Sequence, residues 1–402
     1  QQPKRTAITE ALVAGARARA RVRGAEIGAL SIASLRATVE QTVARLARVA
    51  GVLGDAGPVD EGVGPVPATP IMRWLRTVDG PIDQFNQTMV VQAPAGVSQA
   101  DVVVVVQALL DRHAMLRPRV EDDGAGRWSP QVAEPGSVDS GDCLHTIGEL
   151  SDDALVAARS RLNPAAGAMV SALWAADTGQ LALIVHHLAV DAVSWPILLE
   201  DLNIAWAQHH SGQPITLPIS GTSFATWASR LAEYAQAPSV VDLADEWRQV
   251  TAAPSLLPAV QPAVDTYASA GHLSVSLDAE NTRQLLGEVP AAFHAGVQDI
   301  LLIAYALACA EFLGIRDATI GIDVEGHGRN EDLAPDLDLS RTVGWFTTKY
   351  PVALSIDGLY WSQVVAGDAE LGPIIKDAKE QLRAVPDGMT YGLLRYLNPD
   401  ID

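Results

Sequence analysis

Apolar and polar positions alternate between two periods along this chain. SQADVVVVVQALLDRH, residues 98–113, has helical spacing, and the continuous apolar runs AMVSALWAA (168–176) and QLALIV (180–185) have the length of buried strands. SWPILLEDLNIAWAQ (194–208) returns to the helical period and predicts a helix with Ser194 as its N-cap. The second half repeats the mixture, with strands in HLSVSL (272–277), ATIGIDV (318–324) and TKYPVAL (348–354) around a helix in AGVQDILLIAYALACAEFLGI (295–315). GVLGDAGPVDEGVGPVPATP (51–70) has no apolar period and marks a boundary after the helical SLRATVEQTVARLARVA (34–50). A Pro-rich passage near residues 235–265 reads as a crossover. The pattern predicts a separate segment 1–50 followed by two α/β lobes, 51–235 and 236–402, without an internal sequence repeat.

Length supports two lobes, since 402 residues exceed the size at which single cores usually stop growing. The longest apolar runs, VVVVVQALL and ILLIAYALACAEFLGI, are too short or too interrupted to span a bilayer, and QQPKRTAITEAL lacks the apolar region of a signal peptide. We therefore expect a soluble protein with no membrane partner. Cys143 and Cys309 form neither a metal-ligand spacing nor a disulfide framework, and Cys309 falls in an apolar helical run as a buried thiol. A reducing cytoplasm fits this usage. The net charge of −20 is uneven: residues 1–50 hold nine Lys or Arg against three Glu, leaving −26 for the remainder. That acidic body argues against nucleic acid as a partner. Arg17, Arg19, Arg21 and Arg23 alternate with small residues and have no interleaved aromatics, so they read as a solvated face or linker.

Three segments could carry chemistry. In LALIVHHLAVDAVSW (181–195), an apolar strand delivers His186 and His187, whose side chains must diverge. Imidazole titrates near neutrality and suits proton transfer, although from the dipeptide alone one core histidine beside one solvated histidine is the stronger reading. Asp191 could orient an imidazole or pair with a nearby Arg to hold the loop, and the structural role is the simpler one. His209 and His210 serve as a control, because they close a helical run before Ser211 and Gly212 and read as cations at a helix C-terminus. The second segment, EGHGRNEDL, follows an apolar strand directly, so Gly326 and Gly328 allow a turn that presents Glu325 at a strand edge. Glu325 is equally compatible with a surface carboxylate. The third, DLSRTVGWFTTKYPVAL, sets Gly344, Trp345 and Phe346 before a strand, as core packing or as the wall of a tunnel. No GxSxG elbow, P-loop, GxGxxG or HExxH occurs, so hydrolase, nucleotide and zinc readings lose their usual support and a cofactor-free acid–base enzyme is left.

These motifs together resemble a known family. HHLAVDAVSW resembles the HHxxxD signature of nonribosomal peptide synthetase condensation and epimerization domains, in the chloramphenicol-acetyltransferase-like superfamily. TPIMRWL with FNQ (69–75 and 85–87), EGHGR (325–329), LSRTVGWFT (339–347) and YGLLRY (391–396) are similar to the epimerization branch and run in its order. Ala192 stands where condensation domains usually carry Gly, and Met389 and Thr390 depart from the family's usual loop. The resemblance also implies a further segment with an FNYLG-like motif beyond Asp402, so that the C-terminal end is incomplete. GALSIASLR around Ser31 faintly resembles a carrier's phosphopantetheine site, and residues 1–50 are read as a linker or carrier-domain remnant.

The resemblance implies an α/β fold of two chloramphenicol-acetyltransferase-like lobes in a V shape, with an active-site tunnel between them. The implied reaction inverts the α-carbon of an L-aminoacyl or L-peptidyl thioester on a carrier's 4'-phosphopantetheine arm, with no cofactor or metal bound by this domain itself. His187 and Glu325 become the catalytic pair facing each other across the tunnel, one from each lobe. Either could be the base; a desolvated carboxyl would hold its proton nearer neutrality and fit the task. His186, Asp191, Ser194, Trp345 and Tyr391 become supporting residues. The implied partners are an upstream peptidyl carrier domain and a downstream condensation domain. A condensation domain forming an amide bond, or a non-catalytic carrier-docking module, are the alternatives.

Overall fold

In the computed structural model, residues 62–399 are described apart from 123–127, 267, 316–317, 357 and 359. The expectations for residues 1–50 and most of the 51–70 boundary lie outside the described residues. The described residues belong to one compact unit.

Strand β1 is Gly64–Pro65, β2 Asn86–Gln92, β3 Pro118–Asp122, β4 Trp128–Val132, β5 Leu144–Ile147, β6 Val170–Ala175, β7 Gln180–His186, β8 Ala318–Gly326 and β9 Thr348–Ile356. Three sheets result, ordered β1-β4-β3, β2-β7-β6-β5 and β8-β9; all pairs are antiparallel except β5 with β6. The two apolar runs expected as buried strands are β6 and β7, at the centre of the four-stranded sheet and covered on both faces. Leu181, Leu183 and Val185 join the large core, while Ala182 and Ile184 pack with Ala158 and Leu162 on the opposite side. Strand β2, which the sequence pattern did not reveal, pairs along the whole of β7, with Asn86 opposite His186 and Gln87 opposite Val185.

The helix expected at 98–113 forms over Gln99–Arg112, with Ser98 and Asp101 in a reciprocal capping box. It packs against the helix Ser194–His210. That second helix begins where expected, but Ser194 is its first residue rather than its N-cap; Val193 occupies the cap without a side-chain bond. The Ser194 hydroxyl is committed elsewhere, as described below. His209 and His210 do close this helix, with Gly212 just beyond at φ 68°.

In the second half, the long apolar run folds as the helix Val297–Leu313, ended by Gly314 in the left-handed region. Leu301, Tyr305 and Phe312 on it are exposed and Cys309 is half-buried, so the fully buried thiol expected there is not found. HLSVSL is not a strand: it has no ladder partner among the described residues, and Leu273 and Val275 are 92% and 89% exposed. Alternation indicates capacity to pair, and pairing also needs an edge. The Pro-rich crossover contains two helices, Pro238–Val241 and Ala244–Thr251. One large core runs from Val66 to Leu394 and joins β2, β6 and β7 to Leu339, Val343, Trp345 and Phe346; a small core of Ile303, Ala306, Ile320, Leu354, Ile356 and Ala378 lies under β8-β9.

Candidate active site

Strand alternation separates the two histidines. His186 is fully buried: its Nδ1 accepts the Leu188 N–H at 3.2 Å, so its Nε2–H donates to the Ile82 carbonyl at 3.0 Å. Burial pushes its pKa down to about 4, the Ile82 bond opposing. This imidazole is a neutral structural element.

His187 follows the last residue of β7, its N–H donating to the Phe85 carbonyl at 2.8 Å. Its ring stacks on Phe85, with centroids 4.9 Å apart and planes 11° from parallel, and lies 4.6 Å from Trp345. Its Nε2 meets the Gln87 side-chain nitrogen at 2.9 Å. Burial pushes its pKa below the ordinary imidazole value; its own backbone, Asp191, Glu325 and the Val190 backbone act in the opposite direction.

Asp191, Ser194 and Arg329 form a latch between the histidine loop and the second half. The Asp191 Oδ1 accepts from the Ser194 N–H at 2.8 Å and the Arg329 Nη2 at 3.1 Å, and its Oδ2 accepts from the Phe346 N–H at 3.1 Å. The Ser194 Oγ is within 3.1 Å of Asp191 Oδ1, Arg329 Nη2 and both the N–H and C=O of Gly344. Arg329 also donates to the Leu339 and Thr342 carbonyls, and its guanidinium stands 4.0 Å over the Phe346 ring. The close approach needs glycine. A Cβ at Gly328, whose φ is +65°, would fall 1.7 Å from the Phe346 carbonyl oxygen, and one at Gly344 would fall 2.2 Å from the Phe224 ring.

The latch carries Glu325 with it. Glu325 is the second-last residue of β8, opposite Lys349 and three residues before the glycine that meets Phe346. Its charge acts on His187 through space. The carboxylate is exposed, so the protein alone does not supply the desolvation expected of it. Lys349 pairs with Asp323, two residues before Glu325 on β8, and stands 5.4 Å over Trp74. Tyr391 packs on Trp247 at 5.2 Å and lines an open groove of about 320 Å³ with Arg248 and Arg395. Among the described residues no group of three or more His, Cys, Asp or Glu could hold a metal ion, and no single helix is long and apolar enough to cross a membrane.

Two residues central to this geometry were not singled out from the sequence. Arg329 was visible as the final residue of EGHGR, and Gln87 as the final residue of FNQ, but only the fold shows what each touches.

The condensation-domain profile matches residues 67–399, and the chain belongs to that family. It is 37% identical to the chondramide synthase cmdD of Chondromyces crocatus over 388 residues, 91% of this chain and 10% of that protein. It is 34% identical to surfactin synthase subunit 2 of Bacillus subtilis over 381 residues, 89% of this chain and 10% of that protein. The chain thus spans about a tenth of these relatives. Among solved structures, the epimerization domain from the third module of tyrocidine synthetase B aligns with a TM-score of 0.72 and 28% identity, covering 84% of this chain and 78% of that one. The first condensation domain of the calcium-dependent antibiotic synthetase aligns at 0.59 with 17% identity, covering 83% and 77%, and supports the fold alone. The chain is a condensation-family domain of the nonribosomal peptide synthetase type with the chloramphenicol-acetyltransferase-like fold.

Proposed function

We propose that this domain epimerizes the α-carbon of an L-aminoacyl or L-peptidyl thioester carried on the phosphopantetheine arm of a partner carrier domain, giving the D-configured unit. The carrier would lie upstream and a condensation domain downstream, and this domain itself binds no cofactor. The observation that carries the reading is the Asp191–Arg329 latch, which ties the loop after His187 to the segment that follows Glu325 on β8 and so joins the two candidate acid–base groups in one structure, although they stand 138 residues apart in sequence. Inversion requires that a proton leave one face of the α-carbon and return to the other, which calls for two acid–base groups delivered from different elements. A thioester helps by stabilising the adjacent carbanion as an enolate. A substrate lying between the two groups would cover Glu325 and supply the desolvation that the free protein lacks. The similarity to an epimerization domain at a TM-score of 0.72 supports the same reading.

Incubation with an aminoacyl carrier protein in D₂O, followed by chiral and mass analysis of the released amino acid, tests the reading. We expect a D/L mixture with deuterium at the α-position, and loss of exchange by about 10²- to 10⁴-fold in both Glu325→Gln and His187→Ala. Retained L-configuration without deuterium overturns it. Amide formation with a second loaded carrier, sensitive to His187 but not Glu325, would then assign condensation; carrier binding with neither reaction would assign a docking module.

A further inference from the structure

We propose that Gln87, locked by Trp195, is a positioning residue that fixes His187 as the neutral imidazole with its proton on Nδ1 and its Nε2 as an acceptor. The argument begins at Trp195, which is buried in the first turn of the Ser194–His210 helix and whose indole nitrogen can only donate. Its Nε1–H meets the Gln87 side chain at 2.6 Å, so the atom there is the amide oxygen. The other end of the amide is therefore the NH₂ group, which also can only donate, and it lies 2.9 Å from His187 Nε2. A donor facing that nitrogen requires a lone pair on it, and the ring's one proton resides on Nδ1. Turning the amide over would leave Trp195 facing a second donor, so the indole determines the orientation of both side chains.

The ring cannot escape this constraint by a small rotation. Phe85 stacks on one side with planes 11° apart, and Trp345 stands 4.6 Å away. The charged and titratable groups that act on His187 are Asp191 and Glu325, which favour a cation, and His186, whose ring is neutral and committed to Ile82 and Leu188. Arg329 already binds Asp191. Protonating His187 at Nε2 would set an N–H against the Gln87 NH₂ and break the contact, so Gln87 opposes the two carboxylates. As a statement about the proton's position this holds for any reaction at the site. Its consequence for catalysis rests on the epimerization reading: His187 enters as an acceptor and can donate only after the substrate has given it a proton and the Gln87 amide has yielded.

Long-range ¹H–¹⁵N spectra of protein labelled at histidine report tautomer and titration without any substrate. We expect wild-type His187 at pH 7 to show a protonated Nδ1 and an unprotonated Nε2. In Gln87→Glu, a carboxylate can accept from both Trp195 and His187, and the proton affinity of His187 should rise at least tenfold. Trp195→Phe frees the amide to turn and should give a mixture of tautomers; this variant keeps the test decisive if Gln87→Glu fails to fold. An Nε2–H tautomer in the wild type, or a His187 that titrates identically in Gln87→Glu, overturns the proposal. In the exchange assay, the acid limb of the pH profile should move to higher pH in Gln87→Glu. If the spectra agree but no α-exchange occurs in any variant, the lock stands and the epimerization reading fails.

Discussion

At His186 both ring nitrogens are engaged, one accepting from Leu188 and one donating to Ile82, so charging this ring would break a bond and bury a cation. The cost falls on stability in a definite pH window. Above the ordinary imidazole value of 6.5 the ring is neutral in folded and unfolded chains alike. Between 6.5 and about 4 only the unfolded chain takes up the proton, so stability falls as pH falls, by about 3 kcal/mol across the full window. His113, buried against Asp201, is shifted downward by burial and acts in the same direction. Urea midpoints measured from pH 7.5 to 4.5 should therefore decline, and more shallowly in His186→Gln, which keeps a donor for Ile82. Equal slopes would place the acid lability elsewhere. The divergence of the two histidines was legible in the sequence, because strand alternation demands it. The role of Gln87 was not, since it depends on an indole that folding brings from 108 residues away.

At the level of elements, the histidine loop and the segment after β8 are held together by one buried ion pair and its hydrogen bonds. Asp191 and Arg329 are 138 residues apart in sequence, with side chains 4% and 9% exposed. The sequence displays HHLAVDAVSW, EGHGR and LSRTVGWFT as three motifs, and periodicity places each on its strand or loop. It does not show that the Asp of the first grips the Arg of the second, or that Gly328 and Gly344 exist to admit Phe346 and Phe224. The same blindness explains two misread elements. Ser194 looks like a helix cap because its hydroxyl could serve there, but Asp191 and Gly344 take it; HLSVSL looks like a strand because alternation carries no information about a partner. Removing one member of a buried pair costs about 3–5 kcal/mol, because the other is left charged and alone. Arg329→Leu should lose stability of that order, whereas Arg329→Leu with Asp191→Leu should recover part of it, and a double-mutant cycle on denaturant unfolding measures the coupling. Additive losses would show that the two residues act independently and that the latch is not a unit.

Across the whole molecule, stability is unevenly divided between the two catalytic candidates. His187 rises from a sheet whose central strands are buried almost throughout, and the surrounding core draws on both halves of the chain. Glu325 sits on a two-stranded sheet whose Ile320, Leu354 and Ile356 share a small core with Ile303, Ala306 and Ala378, beside a helix on which Tyr305 and Phe312 are 57% and 85% exposed. Local opening free energies follow buried apolar contact, so the β8-β9 unit and the Val297–Leu313 helix should open well below the global unfolding free energy. Native-state hydrogen exchange checks this directly. Amides of β6 and β7 should exchange slowest, at the global limit, while those of β8 and the Val297–Leu313 helix exchange at least tenfold faster and with a smaller denaturant dependence. Such a difference would leave His187 and its Gln87 lock as the fixed side of the site and make Glu325 the adjustable side, free to close over a substrate with the latch at Arg329 as pivot. Equal protection of β7 and β8 would instead make the two strands one cooperative unit, and the desolvation of Glu325 would then have to come from the substrate alone.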